Sequence, residues 1–253
     1  MSRSVAYSLV ALCCLLLLVG GAVFGRARQA TRPCTGVRLR IDNETNNFFI
    51  GQREITALLT RDGAEPLVGR TPAELNLAQL EQRLRTNRFV QQAEVHRGLN
   101  GEVRVRIRQN RPLARIVHPD ASQDQYIDEN GNLLPLSTRF TARVLPLTSV
   151  PGGPELGATF FQDSAGQSYL QLLRRLQADP FWRAQVAQVT LLPSGKVVLW
   201  PQVGEQLVEF GYADRVDEKL HKLLAFYRRV LPATGWDCYR RVNVEFRNQV
   251  VCQ

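Results

Sequence analysis

The chain has 253 residues, room for one large domain or two small ones, and an apolar content of 44% that favours packed cores over wholesale disorder. The formal net charge is +9, and an excess of cations suits nucleic acid, anionic lipid or an acidic partner alike. Only Lys196, Lys219 and Lys222 among the basic residues are lysines, so the arginine bias is a feature of the whole composition and not a mark of one ligand.

Residues 5–24, VAYSLVALCCLLLLVGGAVF, carry no charge. At about 1.5 Å per residue such a run spans a hydrocarbon core of about 30 Å, whereas the apolar core of a cleaved signal peptide is about 7–15 residues long. The expectation is a short tail at 1–4, an uncleaved transmembrane helix at 5–25 and a polar linker at 26–36. Arg3 precedes the span, and Arg26, Arg28 and Arg32 follow it, so local charge alone would put the large domain in the cytoplasm. Cys13 and Cys14 fall inside the span. Cys34, Cys238 and Cys252 form an odd set without metal spacing; Cys238 and Cys252 either meet across adjacent strands or remain free thiols.

Residues 37–41 alternate as a strand does. In GQREITALLTRDG, Ile55, Leu58 and Leu59 share one helical face, with Gly63 as a stop. In NLAQLEQRL, Leu77, Leu80 and Leu84 share another, with Asn76 and Gln79 in a capping-box pattern; Thr71 and Glu74 carry a competing start signal or a separate turn. A strand at 90–96, a turn at Asn100-Gly101 and a strand at 102–108 complete a β-α-α-β-β unit, expected over residues 37–110. Val103, Val105 and Ile107 should face the helices, with Arg104, Arg106 and Arg108 on the open face.

The rest of the chain reads as strand-rich with flanking helices. QYIDENGNLLPL is a hairpin whose Asp-x-Asn-Gly turn lacks the later ligands of a calcium loop. Residues 168–178 are helical, 186–192 and 196–200 form a hairpin, and 206–210 a further strand. Val216, Leu220, Leu223, Leu224, Tyr227 and Leu231 make one stripe of a long helix, with Asp214 as its cap and Pro232 and Gly235 ending it. Two short strands, 241–246 and 249–252, close the chain.

His96, His118 and His221 are scattered, and there is no phosphate-binding glycine loop, GxSxG elbow or Cys-x-x-Cys. The expectation is a protein that is not an enzyme and needs no cofactor or metal. The basic strand has no interleaved aromatic residues for stacking on bases, and Glu94 and Glu102 dilute it, so no nucleic acid is expected either.

The segment LNLAQLEQRLRTNRFVQQAEVHRGLNGEVRVRIRQNRPLARI resembles the end of the POTRA domain of the bacterial cell-division family FtsQ/DivIB. Asn87-Arg88-Phe89-Val90 lacks the proline usual there, Gln109 stands for the usual Glu, and Leu99-Asn100 replaces a frequent Trp-Pro. YIDENGNLLPL resembles the family's next segment, and KLHKLLAFYRRVLPATGWDCYRRVNVEFRNQVVCQ its C-terminal helix and final strands, closest to versions from the Bacteroidetes. The resemblance implies an α+β protein: one N-terminal transmembrane helix, a POTRA domain, and a β-sheet-rich domain at 111–253. It also implies a single-pass inner-membrane protein, N-terminus cytoplasmic and domains periplasmic, enriched at the division septum. That topology opposes the local charge count, and long domains often translocate regardless of charge.

The implied role is a divisome scaffold. It binds FtsB (DivIC)-like and FtsL-like coiled-coil proteins and, through them, influences the FtsW/FtsI-type septal peptidoglycan synthases. The rival reading is a POTRA-containing envelope adaptor or chaperone in polypeptide transport. The expected partner site is the terminal strand, paired edge to edge: Phe246 as aromatic anchor, Val250, Val251, Cys252 and Gln253 as the edge, Glu245 and Arg247 as rim charges. The alternative is that Phe246 and Val251 fill the core. Arg104, Arg106 and Arg108 form a possible recruitment face on the POTRA domain.

Overall fold

The computed structural model describes residues 16–17, 32–43 and 48–253. The expected span at 5–25 lies outside these residues apart from Leu16 and Leu17, and among the described residues no helix is long and apolar enough to cross a membrane. The chain divides into two units, the first ending at Gln109 and the second running Asn110–Gln253.

In the first unit, β1 (Gly36–Asp42), β2 (Val90–Arg97) and β3 (Glu102–Gln109) form a sheet of order β1-β3-β2, with β1 parallel and β2 antiparallel to β3. Helices α1 (Gln52–Thr60) and α2 (Leu77–Arg85) present Ile55, Leu59, Leu80 and Leu84 to Val103, Val105 and Ile107 in one core. Each such side chain contributes about 1.5–3 kcal/mol by leaving water. Asn76 caps α2, its Oδ1 accepting from Gln79 N at 3.0 Å. Thr71 and Glu74 bond each other at 2.8 and 3.0 Å in a separate turn. The turn after α1 starts at Arg61, already left-handed at φ 48°, two residues before the expected stop at Gly63. Gln109 is fully buried, and its Oε1 accepts from Ile50 N at 3.1 Å. A glutamate there would bring a charge into the core.

The second unit is built on a nine-stranded mixed sheet of order β12-β11-β10-β9-β8-β7-β4-β5-β6. Its strands are β4 (Pro112–Val117), β5 (Gln125–Asp128), β6 (Leu133–Pro135), β7 (Leu145–Ser149), β8 (Val186–Leu191), β9 (Val197–Pro201), β10 (Leu207–Gly211), β11 (Arg241–Asn243) and β12 (Val251–Cys252). Helices α3 (Ser164–Ala178) and α5 (Val216–Ala225), with the short α4 (Pro180–Gln185) between them in sequence, bury Leu172, Leu173, Leu176, Leu220 and Leu223 against Leu147, Val189, Leu199, Val208 and Phe210. Asp128 accepts from Asn130 N and Asn132 N, each at 2.8 Å, so its carboxylate closes the β5–β6 turn.

The long helix departs from the expected regular stripe. After α5 a π-turn spans Phe226–Val230, and a short α6 (Leu231–Thr234) follows. Pro232 has no N–H for the carbonyl four residues back, a local reason for the widened turn. Pro232 therefore sits inside α6, and Gly235, at φ 97°, ends it. Asp214 does not cap α5. Arg215 holds that position, and Asp214 Oδ1 accepts from Lys219 Nζ at 2.5 Å. Lys219 is fully buried, its ammonium also donating to Tyr212 O at 2.7 Å and lying 5.1 Å from the Phe210 ring centroid. Burial raises the Asp214 pKa, but the hydrogen bond and charge of Lys219, followed by those of Arg215, outweigh it and hold the carboxyl below its ordinary range.

Gly166 lies in the first turn of α3, where an added Cβ would fall 1.8 Å from Phe160 O. Gly157 would place one in open space. Gly166→Ala should therefore destabilise the second unit by about 2–3 kcal/mol, read in thermal or urea unfolding, while Gly157→Ala should leave the transition within about 0.5 kcal/mol of wild type.

Candidate partner-binding edge

β10 and β11 are parallel, so the chain must cross from the end of one to the start of the other. Residues 212–240 make that crossing and carry α5, the π-turn and α6. After β11 the chain turns at 246–248, with Asn248 left-handed at φ 56°, and returns antiparallel as β12. β12 is thereby the outermost strand.

The pairing shows which backbone groups face outward. Gln253 and Arg241 exchange both hydrogen bonds, Gln253 N donating at 2.9 Å and Arg241 N at 3.0 Å. The next pair, Cys252 and Val242, is therefore a non-bonded pair, and Val251 with Asn243 is again a bonded one. The N–H and C=O of Cys252 point to the open side, whereas those of Val251 face β11. Side chains alternate with them: Val250 and Cys252 pack on the core, and Val251 stands out, 37% exposed.

Beside this edge lies a groove of about 540 Å³ between the α5/π-turn segment and the terminal strand. Ala225, Phe226, Val230, Tyr239 and Val250 supply its apolar wall and Lys222 and Arg229 its charge, and among the described residues that line it there is no Asp or Glu. Phe226 and Tyr239 sit with ring centroids 5.9 Å apart. The groove favours an apolar segment bearing acidic side chains.

Cations on and just before α5 hold the arch that leads into β12. Lys222 Nζ donates to Val244 O at 2.9 Å and also to Phe246 O, and Arg215 Nη2 donates to Glu245 O at 3.0 Å. The expected strand 241–246 is thus shortened to Arg241–Asn243: Val244 N still donates to Glu209 O of β10, but the carbonyls of residues 244–246 accept from Lys222 and Arg215 instead of pairing with a strand. Phe246 lies in the turn, 49% exposed, and Arg247 beside it is exposed as well. Glu245 pairs with Lys196 at 3.0 Å and lies over Gly211, so its charge braces the arch. Sequence reasoning missed Lys222, Arg229 and Tyr239, which have no signal beyond a polar stripe and a single aromatic. Cys34, Cys238 and Cys252 are free thiols, and burial pushes the Cys252 thiol up from its ordinary pKa.

Arg104, Arg106 and Arg108 lie on the open face of the three-stranded sheet. Arg38 is in register with Arg104, and Arg40 with Arg106, pairings of like charge that cost stability. Diagonal acids relieve them: Asp42 accepts from Arg106 at 2.7 Å and Arg40 at 3.1 Å, and Glu102 from Arg38 at 3.1 Å. The hydrogen bond from Arg106, with its charge and that of Arg40, holds the Asp42 carboxyl below its ordinary range. The ten candidate residues thus fall into two groups on separate units.

Residues 111–253 match the family described as FtsQ/DivIB, C-terminal related. The chain belongs to the FtsQ/DivIB family. Residues 32–108 match a POTRA-like domain, in keeping with the β-α-α-β-β order of the first unit. Among curated proteins none matches the chain. Family membership makes this a cell-division scaffold, non-enzymatic, whose partners are other division proteins.

Lys222 links α5 to the arch through two carbonyls. Lys222→Met should lower the stability of the second unit by about 1–3 kcal/mol, and amide exchange in β12 should accelerate more than in β8.

Proposed function

We propose that the chain is an inner-membrane scaffold of the division machinery that receives an FtsB/DivIC-like partner, with its FtsL-like companion, at β12. The observation that carries this reading is an outermost strand of two residues, with Cys252 backbone groups facing outward, beside a basic and apolar groove. An incoming strand pairs with the backbone of Cys252 and sets alternate side chains against Val251 and Phe246. The helix that precedes it in the partner lays apolar residues along Phe226 and Tyr239 and directs carboxylates to Lys222 and Arg229. Through these partners the scaffold acts on FtsW/FtsI-type septal synthases, and Arg104, Arg106 and Arg108 serve recruitment.

In this reading residues 1–4 are cytoplasmic, 5–25 span the membrane, the linker expected at 26–36 gives way to the first unit before Cys34, which is buried in that unit's core, and the POTRA domain (expected at 37–110) and β domain (111–253) are periplasmic at the septum. A C-terminal alkaline phosphatase fusion should be active and fractionate with membranes; an inactive fusion at normal expression reverses the orientation.

The edge is tested at Cys252. Proline there removes a donor that faces outward, a position edge strands tolerate, so Cys252→Pro should keep the melting transition. It should also weaken binding of an FtsB/FtsL-type coiled coil at least about tenfold, the value of one backbone hydrogen bond near 1.4 kcal/mol. Cys252→Ala controls for the lost thiol and should bind as wild type. Val251→Pro, which breaks a bond to β11, should instead lower stability. Full binding by a folded Cys252→Pro protein moves the interface away from β12.

A further inference from the structure

Residues 32–35 are clamped to one end of the first unit. Thr35 N donates to Gly101 O at 3.2 Å and Thr35 Oγ1 to Asn100 O at 3.3 Å, while Arg97 Nη2 donates to Arg32 O. Gly101, at φ 86°, brings the hairpin turn so close that an added Cβ would lie 2.9 Å from Pro33 O. The chain therefore enters the unit at the tip of the β2–β3 hairpin.

That tip has an unusual surface. Leu99 is 77% exposed at its apex, and Val37, one register step from the tip, is 41% exposed. Near Leu99 are Arg104, its Nε 3.5 Å from a Cβ built on Gly98, Arg32, whose carbonyl accepts from Arg97, and Arg38, in register with Arg104; all three are exposed. The hairpin carries two carboxylates: Glu94, further from the tip and in register with Arg106, and Glu102, which Arg38 occupies at 3.1 Å. An exposed apolar side chain at a tip that also bears guanidinium groups suits the boundary between acyl chains and anionic headgroups.

We propose that the β2–β3 hairpin end of the first unit docks on the anionic phospholipid surface of the membrane, with Leu99 entering the interface and Arg32, Arg38 and Arg104 meeting headgroup phosphates. The inference rests on the reading of residues 5–24 as a membrane anchor. Eight residue steps separate Phe24 from Arg32, so the tip is tethered within at most about 29 Å of the bilayer. A tether of that reach keeps the tip at high local concentration against the lipid, where even weak attraction acts. Docking points the hairpin end at the membrane and fixes the unit's orientation on its tether.

The experiment is amide hydrogen exchange on the full chain in lipid discs of phosphatidylcholine alone and of phosphatidylcholine with phosphatidylglycerol. Exchange across residues 97–101 should slow several-fold in the anionic discs and recover at high salt, as screening shortens the reach of the charges. Leu99→Asn combined with Arg38→Gln and Arg104→Gln should abolish the difference while leaving the thermal transition in place, and Leu99→Asn alone should reduce it. Retention of the chain on neutral discs with equal exchange in both lipids overturns the docking and leaves the anchor standing. Failure to co-purify with neutral discs overturns the anchor and the docking with it. Protection on neutral discs that rises with the protein-to-disc ratio marks a second copy of the chain at the tip and also overturns the proposal.

Discussion

The parallel pairing of β10 with β11 is the constraint on which the C-terminal half of the second unit depends. Parallel neighbours cannot be joined by a tight turn, so the chain spends residues 212–240 crossing over. The helices of that crossing lie along the sheet and bury Val216, Leu220, Leu223 and Phe226 in its core. Once β11 is laid down, a turn at 246–248 can only return the chain on the free side. The outermost place of β12, the groove beside it and the cations above the arch all follow from that one pairing.

An exposed edge is a liability, and its two ends are managed differently. At the far edge, β6 is three residues long and ends in Pro135, which has no N–H to offer. At the near edge, β12 is only two residues long, is tied back by Gln253 to Arg240 and Arg241, and is flanked by exposed arginines. Short length and like charge oppose pairing with a second copy of the same edge, yet leave room for one strand of opposite charge. The buried Lys219 anchors α5 to Tyr212 and Asp214, the segment directly after β10. Removing the Asp214 carboxylate would leave the buried ammonium without its counter-charge, held by the Tyr212 carbonyl.

The first unit follows a different logic. Its sheet has one dry face and one wet face, and the wet face carries arginines in register across β1 and β3. Asp42 and Glu102 interleave with them and lower the repulsion without cancelling the excess of positive charge. The face thus keeps an excess of exposed cations, and these extend to the hairpin end where the chain enters.

Much of this was legible in the amino-acid sequence. Period-two alternation at 102–108 set which side of β3 is wet, Asn76 marked the start of α2, and ordered likeness across three segments pointed to the family before any fold was known. The first two signals are local, each depending on residues within a turn or two of one another, and the third is an order of segments along the chain. Strand order, in contrast, is set by which apolar faces can be covered at once, and so β12 became an edge only when the crossover was in place. The outward face of Cys252 rather than Val251 depends on the bonded pair Gln253–Arg241, twelve positions apart in sequence. Asp214 looked like a helix cap, but a buried ammonium on Lys219 outcompeted the backbone for its carboxylate. Local sequence determined the elements and their wet and dry faces. Tertiary structure alone decided the edge, the groove and the arch, because long-range pairing and burial choose among partners that local sequence leaves equally available.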